Sequence, residues 1–159
     1  FLAGAGGVLA AAVTTRLGFG KTDVIQMLNG CIGGLVAITA EPLMPSPLAS
    51  ILIGAVGGVI VVYGTKLLFS LKIDDVVGAI PAHLFAGIWG TLAVPITNSG
   101  ASFGTQLLGV VSINAFVFIV SFIVWFLMKS TFGIRLSKEG ETKGTDVTET
   151  GVIAYAIRD

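Results

Sequence analysis

The 159-residue chain contains one histidine, His83, and it lies within Val76 to Ile96, a stretch with no other ionisable side chain. An ionisable group inside an apolar span is costly to keep, so it marks a solute path, a proton relay or a ligand contact by default. A neutral imidazole offers one N–H donor and one acceptor nitrogen, enough to relay a proton or to hydrogen-bond a small polar solute. The plainer reading is a structural histidine bonded to a carbonyl of a neighbouring helix. Asp74 and Asp75 stand just before the stretch. Both are read as helix caps, since a carboxylate there accepts from free N–H groups and meets the positive end of the helix dipole; a direct part in transport is the alternative, and Asp75 is also a candidate for the pore or its mouth. At helical spacing Ala79, Ala86, Gly87 and Gly90 share the face of His83, and Pro81 precedes it by two residues. A face that small permits either close helix packing or a thin lumen beside the imidazole.

The elements that position such a group must suit its surroundings. Hydrophobic residues make up 54% of the chain and charged residues 11%, there are 22 glycines, and the mean hydropathy is +0.96. That balance is too apolar for a soluble domain and predicts an all-α, polytopic membrane bundle. Five apolar stretches, residues 1–17, 24–40, 48–71, 76–96 and 103–128, approach or exceed the roughly 20 residues that a helix needs to cross the hydrocarbon core. Glycine, proline, asparagine and paired carboxylates fill the breaks between them. The expected organisation is a membrane domain over residues 1–132 and a polar tail over residues 133–159. Phe1 follows no initiator methionine, basic leader or small-residue cleavage site, so the chain reads as the C-terminal piece of something longer, truncated at its N-terminus.

Charge sets the orientation. With five crossings, all nine lysines and arginines fall on one side: Arg16, Lys21, Lys66, Lys72, Lys129, Arg135, Lys138, Lys143 and Arg158. The positive-inside rule places that side, and the C-terminal tail, in the cytoplasm of a multi-pass protein of the cell membrane. His83 follows Asp75 by eight residues. In a continuous helix that is about 12 Å, against about 15 Å for half the hydrocarbon thickness, so the imidazole is expected near the midplane.

Other chemistry finds little footing. The net charge of zero offers nucleic acid no basic patch. Lone Cys31 suits packing, and nothing resembles a nucleophilic triad, a paired-cysteine metal site or a phosphate-cradling loop, so neither an enzyme nor a cofactor or metal is expected. Glu41, the only charge on the external side, could draw in cations, although a solvated loop carboxylate is the simpler reading. The pairs Gly30 with Gly34 and Gly54 with Gly58 read as helix-packing faces, and Phe85 and Trp89 as packing aromatics.

A family resemblance accompanies these residues. The run from Lys72-Ile73-Asp74-Asp75 through Pro81-Ala82-His83 to Gly87-Ile88-Trp89-Gly90-Thr91-Leu92-Ala93 resembles the segment of ammonium transporters (the Amt/Mep/Rh family) that carries the second pore histidine. Asn29-Gly30 with Gly33 to Ala40 is similar to the family's N-G-x-x-x-G-L-V-x-I-T-A. In the tail, Gly144-Thr145-Asp146 and Gly151 to Tyr155 resemble its G-L-D and G-x-x-A-Y. Val76, Ala82 and Thr150 depart from the residues usual at their places.

The resemblance implies an eleven-helix fold of two inverted repeats, assembled as a homotrimer, of which the five spans here are the last five. It implies that ammonium loses its proton at an outer site and that ammonia passes a twin-histidine pore, with His83 as one of the pair. Thr39 matches a threonine near the external mouth, with a plain helix-end hydroxyl as the alternative. Asp146, Gly151 and Tyr155 fall in a regulatory tail that meets a PII-type signalling protein. Two rivals stand beside transport: an ammonium-sensing receptor that signals through the tail, and another inverted-repeat transporter with a midplane proton-relay histidine.

Overall fold

The computed structural model describes residues 1–154, and these are all-helical, with no strand among the described residues. They fall into two compact units, Phe1–Ile113 and Asn114–Asp159. In the first, α1 (Leu2–Phe19), α2 (Val24–Ile38) and α3 (Pro47–Ser70) pack on one another. Local chemistry sets their ends. α1 stops at Gly20, whose left-handed φ of 77° lets its N–H return to the Arg16 carbonyl. α2 starts at Asp23, whose carboxylate accepts the Gln26 N–H at 3.1 Å. α3 starts at Ser46, whose hydroxyl accepts the Ala49 N–H at 3.2 Å, and Pro47 takes the first position, where no amide hydrogen is needed.

Glycine, rather than side-chain interdigitation, brings these helices together. A Cβ on Gly34 or Gly54 would collide with the Ala3 carbonyl, and one on Gly58 with the Gly7 carbonyl. A Cβ on Gly7 would in turn strike the carbonyl of Gly30. Ala3 and Gly7 of α1 therefore sit between Gly30 and Gly34 of α2 and Gly54 and Gly58 of α3, the two small-residue pairs visible at four-residue spacing in the sequence. Lipid tails give helices no hydrophobic reason to associate, so bare backbones in van der Waals contact supply the adhesion instead.

The fourth helical span runs Ile80–Thr97 and has two parts: a π-helical turn, Ile80–Phe85, and α4, Ala86–Thr97. α4 seats on α2 where a Cβ at Gly90 would strike the Ala37 carbonyl, and Ala37, Ile53 and Ala93 form a small apolar cluster there with Ile38 and Trp89. The span begins later than the apolar pattern predicts. Val76 to Gly78 form a turn, closed by a left-handed Gly78 at φ 73°, because hydropathy alone does not separate an apolar turn from an apolar helix. The eight-residue helical rise from Asp75 to His83 is thus not present, and His83 lies in the opening turn of its helix.

α5 (Phe103–Thr131) is 29 residues long and buries none of them. Leu2–Phe19, Pro47–Ser70, Ile80–Thr97 and Phe103–Thr131 are long and apolar enough to cross a membrane; α2 is apolar but only 15 residues long. In the second unit, the rings of Phe118, Phe122 and Phe126 stack successively along α5 at 6.4 and 6.3 Å. α6 (Lys138–Lys143) comes next, capped by the Ser137 hydroxyl, which accepts the Gly140 N–H at 3.1 Å. A second π-helical turn, Asp146–Thr150, follows and stops at a left-handed Gly151.

Candidate functional site

The turn beneath His83 is tied down from three directions. From its own loop, Asp75 accepts two amides, Ala79 N–H to Oδ1 and Ile80 N–H to Oδ2, each at 2.9 Å. From α2, the amide of Asn29, a buried residue, donates from Nδ2 to the Val77 carbonyl at 2.9 Å. From α3, Gly64 leaves a notch that the π-helical turn fills: a Cβ there would stand 2.7 Å from the Phe85 ring and 3.0 Å from Pro81 Cβ. Pro81 has no amide hydrogen to give the helix, and the turn above it widens. Ala86 N–H reaches the Pro81 carbonyl, five residues back.

His83 rides on this widened turn between buried Ala82 and exposed Leu84. Its own side chain is exposed, and it makes no hydrogen bond among the described residues. Within this chain the imidazole therefore stands on an open face of the helix. Trp89, one and a half turns on, donates from Nε1 to the Ile53 carbonyl at 3.0 Å and packs inside the bundle.

The two aspartates divide. Asp75 caps, as its paired amides show, but Asp74 does not: it is exposed and accepts no hydrogen bond among the described residues. The reason is register. Helical structure starts at Ala79, and the turn through Gly78 brings the carboxylate at position 75 under the free amides, leaving its predecessor outside. Both aspartates line, with Thr65, Phe69 and Lys72, a cavity of about 340 Å³ beside the turn.

At the opposite ends of α2 and α4, Thr39 is exposed and donates its hydroxyl to the Val36 carbonyl at 2.7 Å, which is a helix-end bond. Glu41, read from sequence as a solvated loop carboxylate, accepts the Asn98 side-chain amide at 2.9 Å and so links the two loops. Thr97 beside them buries its hydroxyl without a partner among the described residues. Among the described residues no three His, Cys, Asp or Glu side chains converge as a metal site.

In the tail, Asp146 accepts the Ala154 N–H at 2.8 Å, and this bond, with the Val147 amide, holds its carboxyl below the usual carboxylate range. Gly151 returns its N–H to the Asp146 and Val147 carbonyls, which its left-handed φ of 69° permits. Arg135 grips Glu141 with two bonds, 2.7 and 3.2 Å, which lowers the Glu141 carboxyl and raises the guanidinium. Tyr155 lies outside the described residues.

The family model described as Ammonium Transporter Family matches residues 1–155. The chain belongs to the ammonium transporter family. It is 36% identical to the ammonium transporter Amt2 of Archaeoglobus fulgidus over 97% of this chain and 37% of that protein. It is 38% identical to the ammonium transporter Amt1 of Haloferax mediterranei over 96% of this chain and 30% of that protein. A solved structure named Sensor Amt Protein superposes with a TM-score of 0.86 at 28% identity, over 93% of this chain and 40% of that one. The chain thus spans about a third of the length of the relatives it matches, and its apolar helices make it a multi-pass membrane member of the family.

Two site residues escaped sequence reasoning. Asn29 falls in a motif shared with the family, yet a lone polar residue between apolar neighbours gives no hint of a partner 48 residues away. Gly64 has no small residue four positions off in α3 to suggest a face, since Ile60 and Leu68 flank it. A polar side chain beside a glycine-packed face was the available signal for Asn29.

Proposed function

We propose that this chain forms part of an ammonium transporter and that His83 stands in its translocation path. The observation that supports the reading is the imidazole itself: in a chain that matches the family from residue 1 to 155, the single histidine is open on an apolar helix while the turn beneath it is held from three sides.

The physical logic is desolvation. A bare cation in hydrocarbon is far costlier than neutral ammonia with its proton carried separately. Ammonium gives up its proton before reaching His83, and the neutral species passes an imidazole that donates from one nitrogen and accepts at the other. In this reading a second histidine, supplied by further sequence of a longer protein, completes the pair and covers the open face. The five helices α1, α2, α3, the Ile80–Thr97 span and α5 cross the membrane within residues 1–132, as part of an eleven-helix inverted-repeat fold assembled as a homotrimer. Residues 133–159 lie in the cytoplasm, where Asp146, Gly151 and Tyr155 belong to the segment read by a PII-type protein. Thr39 borders the outer mouth.

A sensing role is the second reading, favoured by the likeness to the structure named Sensor Amt Protein. Ammonium and methylammonium flux into proteoliposomes of the full-length protein separates the two. Flux is expected, and His83→Ala should lower it at least about a hundredfold, the low side of what a positioned proton-transfer group contributes. Ligand binding without flux would favour the sensor, and undiminished selective flux in His83→Ala would remove His83 from the path.

A further inference from the structure

We infer that Asn29 is a positioning residue for the His83 imidazole, acting from α2 through the Val77 carbonyl; the inference rests on the transport reading of His83. The residue is 8% exposed, and it is one of two polar residues buried as a whole among the described residues, the other being Thr15, whose hydroxyl donates within its own helix and accepts the Asp23 N–H at 3.3 Å. Its backbone has little freedom, because the next residue is Gly30, whose Cβ position lies 2.5 Å from Ala11 Cβ and 2.8 Å from the Gly7 carbonyl. α1 therefore fixes where Asn29 stands. From there Nδ2 reaches across 48 residues of sequence to the Val77 carbonyl at 2.9 Å.

The bonded carbonyl is well placed to control the start of the helix. Val76 and Val77 are 89% and 69% exposed, so apolar packing does little to hold this part of the loop. The next residue, Gly78, takes φ 73° directly under the Asn29 amide, where a Cβ would collide with Nδ2. The Gly78 carbonyl then accepts the Ala82 N–H at 3.2 Å, one residue before His83. Asn29, the Val77 peptide, Gly78 and Ala82 thus form a continuous chain of hydrogen bonds and backbone that ends at the imidazole. Asp75 fixes the amides of the same turn but belongs to the loop itself; Asn29 anchors the loop to the glycine-packed bundle.

Transport kinetics of the full-length protein test this directly. Asn29→Asp keeps the size of the side chain and replaces the donor with an acceptor facing the Val77 carbonyl. It should lower maximal ammonium flux by roughly ten- to a hundredfold, as misplacement by about 1 Å can, at a nearly unchanged half-saturating concentration, because recruitment does not pass through this turn. Gly78→Ala attacks the same contact from the loop and should give the same signature. In a His83→Ala background, Asn29→Asp should add no further loss, since a residue that acts through the imidazole has nothing left to position. Full flux in Asn29→Asp, or losses that add to those of His83→Ala, would overturn the inference. If Asn29→Asp fails to assemble, Gly78→Ala decides on the same readings. Failure of the transport reading looks different: either the unsubstituted protein carries no flux, or His83→Ala alone leaves flux intact.

Discussion

The junction of α1, α2 and α3 and the turn that carries His83 share two helices but obey opposite plans of construction. At the junction, Gly7, Gly30, Gly34, Gly54 and Gly58 bring backbone against backbone, and no side chain is available to yield. At the turn, the valines point outward and, beside the single packed notch at Gly64, polar ties do the holding: two amides on Asp75 and one carbonyl on Asn29. The first plan is intolerant of volume, the second of lost hydrogen bonds. The contrast explains how an imidazole is kept both fixed and accessible. Glycine-to-backbone packing around His83 would have buried it, whereas ties made below it leave one face of the helix free.

Substitutions should separate the two plans. The largest effect is expected at the junction, where Gly58→Val drives two methyl groups toward the Gly7 backbone. A loss of about 3 kcal/mol, the upper part of the usual range for overpacking, or outright failure to assemble should appear in thermal unfolding of the detergent-solubilised full-length protein. Wild-type stability would mean that α1 and α3 part easily. Asp75→Ala removes the acceptor of two amides without adding volume, and about 1–2 kcal/mol should be lost, as for other helix caps. If the loss equals that of Gly58→Val, the turn is as close-packed as the junction and the contrast fails. The smallest change is expected away from both, at the far end of α4. Thr97→Val deletes a buried hydroxyl that has no partner among the described residues and should be neutral or stabilising by up to about 1 kcal/mol. A destabilised variant would reveal a hydrogen bond made by that hydroxyl in the assembled protein.

Much of the junction was legible in the sequence and much of the turn was not. Glycines four residues apart in apolar helices carry their meaning locally, so Gly30 with Gly34 and Gly54 with Gly58 could be read as packing faces before any coordinates. His83 stood out for a similarly local reason, as an ionisable side chain without ionisable neighbours. The turn depends on relations that a hydropathy pattern lacks. Val76 and Val77 look like helix, and only the left-handed Gly78 reveals that they are not. Whether Asp74 or Asp75 caps depends on where the helix begins, a boundary that Pro81 and Gly78 decide together. The partners of Asn29 and Glu41 lie 48 and 57 residues away, beyond the reach of any periodicity.

The length of α5 has a mechanical consequence. Twenty-nine residues rise about 44 Å, whereas the hydrocarbon layer is about 30 Å thick and membrane helices lean by about 20° on average. A lean of that size leaves roughly 10 Å of helix standing clear of the acyl chains. Thinner bilayers will tip α5 further and thicker ones will draw it upright, so the direction in which this helix hands the chain on to its tail depends on the lipid around it.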